Sequence, residues 1–136
     1  MNETEENIQE WINYASDDLH YARWGMKDTL PLYHIICFLS SSSAEKSLKA
    51  LLLKKGWKLQ KTHDLLYLFK ELEEKIGINS SHISEDIDRL SQYYVEGTRY
   101  PGDFGKERFT LAMAKEAIDS AERVKTFAET HLKEIP

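Results

Sequence analysis

The sequence predicts an all-α fold, an up-and-down bundle of four main helices plus one shorter helix. Three observations point there. From about Leu30 to Gly56 apolar residues recur over a stretch too long for a single strand and with no proline in its interior. Elsewhere apolar residues return every three or four positions, the spacing of a helix face. Finally, no internal repeat, linker or composition shift divides the 136 residues, and 41% hydrophobic content suffices for one core. The chain reads as one domain, 1–136.

The first helix is predicted from about Glu5 to Gly25, with Ile8, Trp11, Ile12, Ala15, Leu19 and Ala22 as its stripe. Asp17, Asp18 and His20 fall off that stripe. In KDTLPL, Asp28 or Thr29 is placed to cap the next helix and Pro31 fits its first turn. That second helix is the centre of the bundle. Its first half, Leu32 to Leu39, is apolar on almost every side, whereas in its second half Glu45, Lys46, Lys49, Lys54 and Lys55 are expected to reach water. Gly56 is its stop. A third helix follows in THDLLYLFKELEEKIG, with Thr62 as N-cap, Asp64 in the first turn, and Gly77 as its end. A shorter helix starts near Ser81 and Glu85 and closes at Gly97. After the Pro/Gly turn TRYPGDFG, the last helix is predicted from about Lys106 to His131, with Phe109, Ala112, Met113, Ala117, Ala121, Val124 and Ala128 facing inward.

Charge and cysteine content narrow the function. With 23 Asp and Glu against 18 Lys and Arg, the chain is mildly acidic, which argues against bulk nucleic-acid or membrane-surface binding. A single cysteine, Cys37, excludes a disulfide scaffold and reads as a buried, reduced thiol. The N-terminus MNETEENIQE has no basic or apolar run, and no stretch reaches eighteen continuous apolar residues. A cytoplasmic location is expected.

Four segments together carry a family resemblance: WINYASDDLHYA from Trp11, SSAEKSLKALLLKKG from Ser42, KTHDLL from Lys61 and TRYP from Thr98. In this order and spacing, over roughly residues 8 to 131, they resemble a prokaryotic HEPN domain, the nucleotide-binding domain shared by higher eukaryotes and prokaryotes. The resemblance implies a helical bundle, commonly a homodimer, often paired with a separately encoded minimal nucleotidyltransferase in a toxin-antitoxin arrangement. Many relatives are metal-independent ribonucleases carrying Arg, four to six intervening residues, then His. This chain departs from that pattern. None of Arg23, Arg89, Arg99 and Arg108 has a histidine in range, and Arg123 misses His131 by one position. The expectation is therefore a protein without catalytic residues, metal or cofactor; if it is an enzyme, a divergent ribonuclease.

The candidate nucleotide or anion site combines Lys61, Thr62, His63 and Asp64 at a helix start with Arg99, Tyr100, Lys106 and Arg108 around the TRYP turn. Backbone donors at a helix start and Arg99 suit phosphate, and Tyr100 can stack on a base. The plainer reading makes Thr62 to Asp64 a cap and Tyr100 a packing residue. Ser40, Ser41, Ser42 and Ser43, unusual inside a helix, suit close packing or a dimer contact, and His34 joins them as a candidate interface residue. A solvated face or polar pocket is the alternative for the serines. His20, His82 and His131 have no metal-ligand spacing. The glycines punctuate turns and form no Walker-type loop.

Overall fold

The computed structural model describes residues 3–77, 79–93 and 105–134, and they form a helical bundle. Five α-helices follow one another: α1 (Glu3–Met26), α2 (Tyr33–Lys54), α3 (Leu65–Ile76), α4 (Ser84–Ser91) and α5 (Leu111–Glu134). Single 3-10 turns at Ser81–Ile83 and Lys106–Arg108 precede α4 and α5. Three helices are long and two short, and no strand occurs among the described residues.

α2 is central, packing along both α1 and α5 and touching α3 and α4. The predicted α1 stripe is buried at Ile8, Ile12, Ala15, Leu19 and Ala22. α1 continues through Gly25, where a Cβ would lie 3.1 Å from Ile36 Cγ1, so the bare backbone admits that isoleucine. From α2, Ile36, Cys37, Leu48, Leu51 and Leu52 fill the core together with Leu65, Leu68 and Leu72 of α3.

Several helix starts differ from expectation. The N-cap of α2 is Leu32, without a side-chain bond, because Asp28 Oδ1 accepts instead from Leu30 N and Thr29 Oγ1 in the preceding turn. Asp64, not Thr62, caps α3: its carboxylate accepts from Tyr67 N at 3.2 Å. The last helix begins at Leu111, not Lys106. Phe109 is extended, and Thr110 Oγ1 accepts from Met113 N as the cap. This start also sets the inward face, which runs through Ala114, Ala117, Ala121, Val124 and Ala128 and leaves Ala112 exposed. The stops agree better. Gly56 follows α2 with φ +85°, and Gly77 ends α3 with φ +66° and its N–H on Glu73 O. The predicted end of the fourth helix at Gly97 lies outside the described residues.

Candidate functional site

The polar half of α2 buries charge. Glu45 and Lys49, expected in water, are only 8% and 3% exposed. Lys49 Nζ lies 2.9 Å from Glu45 Oε2, and Glu45 Oε1 lies 2.9 Å from His63 Nδ1, in the connection ahead of α3. The Lys49 ammonium also sits 5.4 Å from the Trp11 ring centre on α1. One turn earlier, Lys46 pairs with Asp18 at 2.7 Å and lies over Tyr14. A glutamate and a lysine four apart on a helix ordinarily describe a solvated face, which is why sequence reasoning missed this pair. Its burial depends on α1 and the His63 segment closing over it. Glu45 orients the half-exposed imidazole and at the same time balances the ammonium, so one carboxylate serves two partners.

Lys61, Thr62, His63 and Asp64 do separate work. Lys61 is exposed, Thr62 Oγ1 accepts from Asp64 N, His63 meets Glu45, and Asp64 caps α3. The Asp64 carboxylate thus holds the position that a bound anion would take at this helix start. Nearby, the Tyr67 hydroxyl donates to Glu71 Oε1 at 2.7 Å, and that bond raises its pKa above the usual phenol value.

Arg99 and Tyr100 lie outside the described residues. Lys106 lines a cavity of 190 Å³ with His34 and the Leu30–Tyr33 segment, and Arg108 sits over Phe109 at 5.5 Å. Burial, followed by the Lys106 charge, lowers the pKa of His34. Ser40, Ser41 and Ser43 are buried within the chain. Ser43 Oγ donates to Ala15 O at 2.8 Å, so this small-residue face serves the packing of α1 on α2. Ser42 and His34 are half-buried.

A second network, not foreseen, joins α4 to α5. Buried Asp86 accepts from Ser120 Oγ at 2.8 Å and from Arg123 Nε and Nη2 at 3.0 and 2.9 Å. Arg89 donates to the same serine oxygen at 2.8 Å. The hydrogen bonds that Arg123 donates to Asp86 raise the arginine pKa above its ordinary value. Only the acidic residue's position on the inner side of a short helix hinted at this role.

The outer face of α1, opposite the core stripe, carries Tyr14, Tyr21 and Trp24, the last two each 64% exposed. Leu30, Leu32 and Ile35 add exposed apolar surface just beyond it. Among the described residues, no group of histidine, cysteine and carboxylate side chains is arranged to hold a metal, and no helix is long and apolar enough to cross a membrane.

Comparison with known proteins adds the following. Residues 8–131 match the family model for the HEPN domain. Two solved structures share the fold. The archaeal HEPN homologue ST0689 superposes with a TM-score of 0.72 at 26% identity, over 91% of this chain and 96% of that one. The protein TT1696 from Thermus thermophilus superposes with a TM-score of 0.75 at 27% identity, over 90% of this chain and 96% of that one. None of the curated proteins matches.

Proposed function

The chain belongs to the HEPN domain family, and from that membership we propose that it is a non-catalytic member, a homodimer that associates with a minimal nucleotidyltransferase. The outer face of α1 carries this reading. Tyr14, Tyr21 and Trp24 stand in solvent on the side of the helix turned away from the core, and aromatic residues of this kind anchor protein interfaces. A C2 pair would bury the same patch on both copies, and the neighbouring Leu30, Leu32 and Ile35 would extend it. The non-catalytic reading is supported by the missing Arg/His spacing. The nucleotidyltransferase enters through the family alone.

Sedimentation of the chain tests the first half. The wild type is expected to run as a dimer, and Trp24→Ser to weaken association by at least about thirtyfold, the effect of losing one interface anchor worth about 2 kcal/mol. A monomeric wild type would refute the dimer. Affinity capture from the cells that make the protein, with nuclease-treated controls, tests the second half: a stoichiometric nucleotidyltransferase is expected, and recovery of the chain alone would refute it. RNA cleavage abolished by His63→Ala would overturn the non-catalytic reading.

A further inference from the structure

Six positions on the side of α1 away from the core fall on one line. Asn7, Glu10, Tyr14, Asp17, Tyr21 and Trp24 alternate in steps of three and four, and all six are exposed. A seam of this kind suits pairing with another helix along its whole length. Near its start Asn7, Glu10 and Tyr14, with Trp11 beside them, form an open groove of 270 Å³. That is below the roughly 300–1,000 Å³ of sites for drug-sized molecules, and one large side chain fits it better. Near its end stands Trp24, 64% exposed.

The groove and the indole are spaced for each other. Glu10 and Trp24 each lie seven residues from Asp17, about two helical turns. A twofold axis beside Asp17 therefore carries Trp24 of either copy onto the groove of the other and sets Tyr14 against Tyr21 on both sides of the axis. The two helices then run antiparallel.

Charge selects the same direction. Between Glu3 and Glu10 the helix has four glutamates and no base, whereas the stretch from Leu19 to Lys27 has Arg23 and Lys27 and no acid. Counting Asp28 and Glu122, the partner of Arg23, leaves that second end neutral. A parallel pair would set glutamates against glutamates, which the antiparallel pair avoids.

We propose that α1 pairs antiparallel with α1 of a second copy about an axis beside Asp17, Trp24 of each copy filling the Asn7–Tyr14 groove of the other. This rests on the homodimer already proposed and fixes its geometry. An indole seated in a pocket at each end is the usual form of an interface anchor. At the axis the two Asp17 carboxylates oppose each other, while Asp18 beside them is held by Lys46 at 2.7 Å.

Cross-linking through single introduced cysteines tests the geometry. In Asp17→Cys the two thiols lie beside the axis, and a short bismaleimide is expected to join most of the dimer. In Asn7→Cys each thiol is ten residues from the axis, so the two are about 30 Å apart and no cross-link is expected. The wild type, whose one cysteine is buried, supplies the blank. Any other pattern overturns the proposal: cross-linking of both variants means a parallel pair, and cross-linking of neither means a dimer on another face. Sedimentation of Asp17→Asn gives a second measure. Removing the repulsion at the axis is expected to tighten association about tenfold, and an unchanged or weaker association overturns the register. Asn7 and Asp17 are exposed, so unchanged melting temperatures will show that the fold is intact. A dimeric wild type with the wrong cross-linking pattern removes this geometry and leaves the dimer standing, whereas a monomeric wild type removes both.

Discussion

Between Tyr33 and Leu39, α2 carries two isoleucines, a cysteine, a phenylalanine and a leucine, yet Ile35 is exposed and Tyr33, Phe38 and Leu39 are only half-buried. Between Ser40 and Leu52 the same helix carries five serines, a glutamate and two lysines, and every residue but Ser42 and Lys46 is buried. Hydropathy alone would order the two halves the other way. What decides burial is how closely a neighbouring helix can approach. Serines opposite Ala15 let α1 come near enough for Ser43 to reach a backbone oxygen, and the closed seam then encloses Glu45 and Lys49 along with the leucines. In the first half Ile36 and Cys37 are buried, while Tyr33, Ile35, Phe38 and Leu39 leave apolar surface in water.

The largest expected effect lies in the polar half. Glu45→Ala leaves Lys49 buried without its carboxylate, and a loss of about 3–5 kcal/mol is expected in urea unfolding. A loss below about 1 kcal/mol would mean that the pair is solvated and that the contrast between the halves fails. Next comes Ser43→Leu, which forces a large side chain into the α1–α2 seam and removes the bond to Ala15 O. About 1–3 kcal/mol of destabilisation is expected from overpacking. In the apolar half, Ile35→Ser should cost no more than about 1 kcal/mol, because the residue is already 40% exposed. The same substitution would weaken self-association if the patch beside α1 forms the dimer.

The smallest effect concerns pH. Burial and the Lys106 charge hold the His34 pKa below its ordinary value. As pH falls through about 6.5, the unfolded chain takes up a proton at this site before the folded chain does, so stability drops. The drop ceases once the folded imidazole also protonates. His34→Phe should therefore flatten the change in stability between about pH 7.5 and about pH 5.5, a small change because the ring is only half-buried. An unaltered slope would assign the acid sensitivity to other groups.

Much of the fold was legible because periodicity reports directly on which face is buried. The α1 stripe and the glycine stops after α2 and α3 follow from local rules that tertiary context did not override. Caps were less legible, since several residues at each helix start can accept the same N–H: Thr62 and Asp64 both qualify, and geometry chose Asp64. The site was least legible. The link between Glu45 and His63 spans 18 residues and that between Asp86 and Arg123 spans 37, so neither leaves a local pattern. Histidines that look scattered along the chain, His82 and His131, flank one phenylalanine in space.

Burial raises the pKa of Cys37 to about 12, so the thiol stays protonated and closed to electrophiles. It is also the chain's one cysteine. The native protein is thus a ready background for site-directed labelling. A cysteine introduced at an exposed position will take a maleimide dye while Cys37 stays dark, and slow modification of Cys37 itself will count the moments when the core opens.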